Sequence, residues 1–201
     1  QSKLYTGISS VFMNQKQHEK GVYFTKKALT VALGTTNTSL LAQASSNLAI
    51  AYFYSYDTAA TKKPFLDSAY TTALESMKYA KKAGVPVNII KNYITLGDVA
   101  TKRKNFKEAL LYSDTLLTYI TPKTNANVRS AIYSLRAAAF VGLNEHSKSI
   151  EWLQKGLEQA MIVNNIFSVR EIKYKLYEAY KASGSTALAL QSLEQYKVLS
   201  D

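Results

Sequence analysis

The chain has 201 residues, of which 47% are hydrophobic, and only 3 Pro and 8 Gly interrupt it. This length allows one large domain or two small ones, and the composition favours long helices over a many-turned β fold. The absence of Cys excludes disulfides, thiolate nucleophiles and cysteine-based metal sites, while the net charge of +11 favours acidic partners without indicating a fold.

The hydrophobic pattern predicts an all-α chain of ten helices that pair into five hairpins. We expect a single helical-repeat domain over residues 1–201, with hairpins at about 2–33, 38–83, 87–120, 125–163 and 166–200. In chain order the predicted helices are 2–15, 19–33, 38–56, 65–83, 87–102, 106–120, 125–142, 146–163, 166–183 and 186–200.

An internal repeat of 40 residues supports these hairpins. A small residue recurs on each second helix, at Gly21, Ala69, Ala109, Ser149 and Ala189. An aliphatic residue recurs on four of the five first helices, and Arg136 takes its place on the remaining one. The small residue lets the two helices of a hairpin approach closely, and extra residues in the second hairpin predict a longer turn at 57–64.

Helix ends carry their own signals. Asn105 and Glu108 have the spacing of a capping box, in which the Asn side chain accepts from an exposed amide and the Glu reaches back. Gly34, Gly84 and Gly184 follow helical runs, where a left-handed conformation costs glycine little. We therefore expect left-handed backbone at all three glycines.

These residues resemble the signature of the tetratricopeptide repeat family. The resemblance is carried by Leu96, Gly97, Ala100, Phe106 and Ala109, and again by Leu176, Tyr180, Gly184 and Ala189. The period exceeds the usual repeat of about 34 residues, which implies longer helices. The resemblance implies a right-handed superhelical array of about five hairpins that binds a protein or peptide and is not an enzyme.

The closing stretch, residues 156–201, has a narrower likeness. It resembles the repeats that precede the membrane span in bacterial sensor kinases and regulators, and those of peptide-sensing regulators. This implies the sensing part of a larger bacterial signalling protein, periplasmic if it is a sensor input domain and otherwise cytoplasmic. No signal peptide follows Gln1, and no stretch is apolar enough to cross a bilayer, so this segment itself is expected to make no membrane contact.

In such arrays the first helix of each hairpin lines a concave groove. The family's groove positions give twelve candidate ligand-binding residues here: Lys3, Asn14, Gln43, Asn47, Tyr54, Lys91, Asp98, Lys102, Tyr174, Lys175, Glu178 and Lys181. The fourth hairpin contributes only apolar groove positions, at Ala131, Ala138 and Val141.

Some family members clamp a C-terminal carboxylate with Lys and Asn residues. Asn47 and Lys91 match two of the clamp positions, but Thr6 and Ser10 stand where a Lys and an Asn are needed. The clamp is incomplete, and the same two residues can equally be read as ordinary surface polar groups.

Two alternatives remain open. The basic residues between 78 and 107 could bind nucleic acid, although the same residues also fit a solvated surface. The last helix carries Leu188, Leu190, Leu193 and Val198, which could form a homodimer contact through the last hairpin. The two His residues lack metal-ligand spacing and no phosphate loop occurs, so neither a metal nor a cofactor is expected.

Overall fold

The structure of the protein is a computed structural model that describes residues 1–56 and 63–200. The described residues form ten α-helices and no strand, which confirms the predicted all-α fold. The largest boundary difference is at the sixth helix, which ends at Leu117 rather than at residue 120. The helices are α1 (Ser2–Asn14), α2 (His18–Leu33), α3 (Thr38–Ser55), α4 (Lys63–Ala83), α5 (Pro86–Lys102), α6 (Phe106–Leu117), α7 (Ala126–Gly142), α8 (His146–Ile162), α9 (Ile166–Ala182) and α10 (Thr186–Val198).

The chain divides into two compact units, Gln1–Val99 and Ala100–Asp201, with the division inside α5. Within the first unit α1 packs against α2, α2 against α3, and α3 against α4. Within the second unit the same neighbour-to-neighbour packing runs from α6 to α10. The single domain over 1–201 stays a prediction, and most of the longer turn predicted at 57–64 lies outside the described residues.

The repeated small residue is buried in every hairpin, which confirms its predicted role. Ala69, Ala109 and Ser149 have no exposed surface, and Gly21 and Ala189 are also buried. On the first helices, Leu48, Leu96 and Leu176 are buried at the repeated aliphatic position. Small side chains on the second helices and aliphatic side chains on the first helices are therefore both part of the buried core, as close helix packing requires.

Arg136 departs from the aliphatic pattern because its guanidinium has polar and aromatic partners. Its Nη1 donates to Oγ of Ser113 at 2.9 Å and pairs with the carboxylate of Asp114. The guanidinium carbon lies 4.9 Å from the centroid of the Trp152 ring and 5.4 Å from that of Phe140. The Arg136 side chain therefore packs against aromatic rings, while the carboxylate of Asp114 compensates its positive charge.

The four hairpin turns that the structure describes share one backbone conformation. Lys104, Asn144 and Gly184, spaced 40 residues apart, all have positive φ, and Lys16 has the same conformation in the first hairpin. A left-handed residue thus reverses the chain at the same point of four hairpins, and only one of the four is glycine. The sequence signal was missed at the other three because Lys and Asn occur throughout surface turns.

The prediction for the three glycines that follow helices was right in part. Gly84 and Gly184 have φ of +61° and +78°, as expected. Gly34 was predicted wrongly, because its φ is −74°. The end of α2 is closed instead by Thr35, whose amide and hydroxyl donate to the carbonyl of Ala32 at 3.0 and 2.7 Å. No left-handed residue is needed there.

The hydrogen bonds at the start of α6 differ in one respect from the predicted capping box. Oδ1 of Asn105 accepts from the amide of Glu108 at 3.5 Å, as predicted. The Glu108 carboxylate, however, accepts from the side-chain Nδ2 of Asn105 at 2.7 Å rather than from its backbone amide. That backbone amide already donates to the carbonyl of Ala100 at 2.8 Å, so it has no need of the carboxylate.

Candidate ligand-binding recesses

The first recess lies in the first unit, between side chains of α1, α2 and α3. It has a volume of about 160 Å³ and brings together three of the predicted residues, Asn14, Asn47 and Tyr54. The other lining residues are Thr6, Ser9, Ser10, Met13, Thr25, Ile50 and Ala51. The predicted spacing along α3 therefore places Asn47 and Tyr54 in the wall of one cavity.

The second recess adjoins the first, because Ile50 and Tyr54 line both. It has a volume of about 150 Å³ and adds two predicted residues from α5, Lys91 and Asp98, together with Phe53, Ile94 and Thr95. Burial, and then the negative charge of Asp98, raise the pKa of the Tyr54 hydroxyl above its ordinary value.

The hydroxyl groups at the incomplete clamp positions are used within their own helices. Thr6 Oγ1 donates to the carbonyl of Ser2 at 3.1 Å, and Ser10 Oγ donates to the carbonyl of Thr6 at 3.0 Å. Thr95, which replaces a basic residue of the clamp, donates to the carbonyl of Lys91 at 3.0 Å. None of the three supplies the positive charge that a carboxylate clamp needs.

The third recess lies in the second unit and, at about 490 Å³, is larger than the first two. It contains the predicted residues Lys175 and Glu178 from α9, and the apolar groove positions Ala138 and Val141 from α7. Sequence reasoning missed the remaining lining residues, which are Thr101, Phe106, Ala137, Gly142, His146, Ser149, Leu153, Ala179 and Ala182. Several of these come from second helices, which carry no groove positions in the family.

The other predicted residues lie outside these recesses. Lys3, Gln43 and Lys102 are exposed on α1, α3 and α5. Tyr174 and Lys181 belong to an aromatic cluster of the last hairpin, which is built from α9 and α10 and described next.

Tyr174 is the centre of that cluster. Its ring centroid lies 5.9 Å from that of Tyr177 and 5.1 Å from that of Tyr196 on α10. The Lys181 ammonium lies 5.9 Å from the Tyr177 ring. The neighbouring Glu178 carboxylate is the main cause that raises the pKa of Tyr174. These side chains connect the two helices and leave Tyr174 partly exposed.

The basic residues behind the nucleic-acid alternative are exposed on elements of both units. Lys78, Lys81 and Lys82 are exposed on α4, whereas residues 102–104 and Lys107 are exposed around the turn between α5 and α6. In the part of the chain that the structure describes, no three His, Asp or Glu residues are grouped as metal ligands, and no helix is long and apolar enough to span a membrane.

The fold resembles solved helical-repeat structures. A Rap protein, crystallised in complex with Competence and Sporulation Factor, matches 98% of this chain at a TM-score of 0.86 and 12% identity. The match covers 53% of that protein, so the chain spans about half of its length. BtubC from P. vanneervenii matches with a TM-score of 0.74 at 14% identity, over 98% of this chain and 78% of that one.

A kinesin light chain from Podosopora anserina, described as having TPR-like repeats, gives a TM-score of 0.67 at 14% identity, over 98% of this chain and 94% of that one. No protein-family model matches the sequence, and no curated protein matches it. The chain is therefore a helical-repeat protein with a tetratricopeptide-like fold, which confirms the resemblance inferred from its residues.

Proposed function

We propose that the chain is a protein- or peptide-binding module whose partner lies across the first helices of the hairpins. The observation that carries this proposal is that the first two recesses lie side by side and share Ile50 and Tyr54. Side chains of α1, α3 and α5 thereby line two neighbouring recesses, which together form a strip within the first unit. Its mixture of apolar walls with Asn47, Lys91 and Asp98 suits an extended segment that has both backbone and side-chain contacts.

The likeness to the Rap protein supports the same proposal. That protein was crystallised with Competence and Sporulation Factor, and it has the highest TM-score of the structures compared above. By extension we propose that this chain is the ligand- or partner-sensing part of a larger bacterial signalling protein. Reading the encoding gene on both sides tests this extension: a kinase or DNA-binding region supports it, and stop codons close to both ends contradict it.

Selection from a random peptide library tests the binding function. The purified chain is immobilised, and dissociation constants of enriched peptides are measured by fluorescence anisotropy. We expect Lys91→Ala and Asn47→Ala each to weaken binding about tenfold, because both alter the strip. Lys81→Ala on α4 is the matched control and should change the affinity less than twofold. No enrichment, or equal losses for Lys91→Ala and Lys81→Ala, would contradict the proposal.

Nucleic-acid binding and self-association remain predictions without a specific observation in their favour. The basic residues on α4 and those near the start of α6 belong to different units. A gel-shift series decides the first alternative, since phosphate binding must strengthen steeply as salt is lowered. Light scattering at high concentration decides the second, because contact through Leu188 and Leu190 requires a dimer.

A further inference from the structure

Five large apolar side chains are exposed together where α8 is connected to α9 in the second unit. They are Met161, Ile162, Val163, Ile166 and Phe167, and their exposed fractions are 58, 62, 36, 64 and 66%. We call these five residues the apolar tip. A group of exposed apolar side chains of this kind marks a surface that another molecule or a membrane covers.

The repeat does not require apolar residues at this place. One repeat of 40 residues earlier, positions 121–123 in the connection between α6 and α7 are Thr, Pro and Lys. Positions 34–37 in the connection between α2 and α3 are Gly, Thr, Thr and Asn. The same hairpins therefore form with polar connections, and the fold gives no reason for the apolar tip.

The backbone of the tip already has hydrogen-bond partners within the protein. The amides of residues 164–166 donate to carbonyls of the turn or of the end of α8 at 3.0–3.1 Å. Oδ1 of Asn165 accepts from the amide of Ser168 at 3.1 Å, and its Nδ2 donates to Oδ1 of Asn127 on α7 at 2.7 Å. The turn can therefore leave water with these groups paired, as contact with hydrocarbon requires because hydrocarbon offers no hydrogen bonds.

Basic residues outnumber acidic residues around the apolar tip. Residues 118–130 and 155–175 include six Lys or Arg and two Glu, namely Lys123, Arg129, Lys155, Arg170, Lys173 and Lys175 against Glu158 and Glu171. The Arg170 guanidinium lies 5.3 Å from the centroid of the Phe167 ring. Nε of Arg129 donates to Oε1 of Gln159 at 2.6 Å, close to the end of α8. The apolar side chains are thus accompanied by positive charges, which attract anionic headgroups.

We propose that the apolar tip inserts its side chains into the surface of a membrane that contains anionic lipids. The tip supplies the hydrophobic contact and the surrounding Lys and Arg residues supply the electrostatic attraction, the two contributions that hold a protein at a membrane surface. The inference does not depend on the proposed peptide binding, which concerns other side chains.

This inference departs from the expectation, drawn from the sequence, that the segment makes no membrane contact. That expectation rested on the lack of an apolar stretch long enough to cross a bilayer. A turn that enters only the boundary between headgroups and acyl chains needs no such stretch.

Vesicle co-sedimentation tests the contact. The full chain is mixed with vesicles of phosphatidylcholine alone, or of equal amounts of phosphatidylcholine and phosphatidylglycerol, and we expect tighter binding to the anionic vesicles. Phe167→Ser should weaken that binding about tenfold, because the ring no longer leaves water. Leu111→Ser on α6 is the matched control, since Leu111 is also 66% exposed, and it should change the affinity less than twofold.

A matched pair of lysines tests the electrostatic contribution. Lys123→Gln, in the connection that leads into α7, should weaken binding to anionic vesicles about threefold. Lys107→Gln removes the same charge from the first turn of α6, at the opposite end of the helices, and should weaken it less.

A fluorescent label reports whether the tip itself enters the membrane. The chain contains no Cys, so Ile162→Cys and Leu111→Cys each give a single site for a dye whose emission shifts to the blue in an apolar environment. We expect the shift on anionic vesicles at position 162 and not at position 111.

Four results would overturn the inference. They are no binding to anionic vesicles, equal binding to phosphatidylcholine alone, equal losses for Phe167→Ser and Leu111→Ser, and a blue shift at position 162 that appears without vesicles as the protein concentration rises. The last result would mean that a second copy of the chain, rather than lipid, covers the tip.

Discussion

The ring of Phe106, the first residue of α6, occupies the space into which a side chain at Gly142 would point. The end of α7 can lie against α6 only because residue 142 has no Cβ. We therefore expect Gly142→Ala to lower the free energy of unfolding by about 1–2 kcal/mol, because overpacking against a ring outweighs the better helix propensity of alanine. Chemical denaturation measures this change.

Gly7 and Phe106 provide the controls for that prediction. Gly7 is exposed in α1, and a Cβ there would meet nothing within 4 Å, so Gly7→Ala should stabilise the protein by about 0.5–1 kcal/mol. In a Phe106→Ala background the ring is gone, and Gly142→Ala should no longer destabilise. Additive effects of Phe106→Ala and Gly142→Ala would show that the two residues do not meet.

The contact between the helices of the third hairpin is tested by Ala109→Leu. Ala109 has no exposed surface and packs with Ala100 and Ala139 in a cluster of three alanines. A leucine has no room there and should cost about 1–3 kcal/mol in unfolding free energy. Ala187→Leu at an exposed site is the control, and an unchanged melting temperature for Ala109→Leu would contradict the helix register.

The exception to the repeat, Arg136, yields a third prediction. Its side chain is 16% exposed, whereas its partner Asp114 is 55% exposed. Arg136→Ala removes the hydrogen bond to Ser113 and the packing on Trp152, and should cost about 1–3 kcal/mol. Asp114→Ala removes only a solvent-screened partner and should cost at most about 1 kcal/mol. Equal losses in thermal denaturation would mean that the ion pair itself is the dominant contact.

The helices were predictable from sequence because the repeat determines them. Apolar residues recur with a helical period, and the buried small residues recur every 40 positions, so the spacing alone places Ala69, Ala109, Ser149 and Ala189 on the inner faces of their helices. The backbone conformation at some helix ends could not be predicted, because it depends on which neighbouring group hydrogen-bonds to the last carbonyls of the helix. Gly34 has ordinary backbone because Thr35 closes α2, and no pattern at Gly34 itself reports that bond.

Recess residues could be predicted from the sequence only where they occupy the groove positions of the first helices. Asn47, Tyr54, Lys91 and Asp98 line the cavities because they share the exposed face of the first helices. The third recess is instead defined by missing side chains and by His146 and Ser149 from α8. The run of small residues around Ala137 and Ala138 was its one sequence signal, and small residues usually mark close packing instead.

Removal of the Asp98 charge should lower the pKa of Tyr54. Burial is the larger cause of its raised pKa and persists in Asp98→Asn, so the value should fall but stay above 10.0. The ¹³Cζ shift of Tyr54 during an NMR titration measures it. The Tyr174 pKa, raised mainly by Glu178, should not move. A Tyr54 pKa that is unchanged in Asp98→Asn would show that Asp98 does not face its hydroxyl.

The raised pKa of Tyr54 also sets the sign of its effect on stability. The Tyr54 hydroxyl has a higher pKa in the folded than in the unfolded protein. Its contribution to the free energy of unfolding is therefore fully present below about pH 10, the ordinary pKa of tyrosine. That contribution is lost as the pH rises through the folded-state pKa. Tyr54→Phe should therefore reduce the loss of stability between neutral and strongly alkaline pH.

Photo-crosslinking tests the central claim most directly, namely that a partner segment lies across the first helices. A photoreactive amino acid replaces Ile50 or Val141 at the recesses, and Lys78 or Ala187 away from them. Each variant is irradiated with a library-selected peptide, and crosslinked product is measured by mass spectrometry. We expect crosslinks from position 50 in the first unit or from position 141 in the second, and none from 78 or 187; crosslinks from 78 or 187 alone would contradict the proposed function.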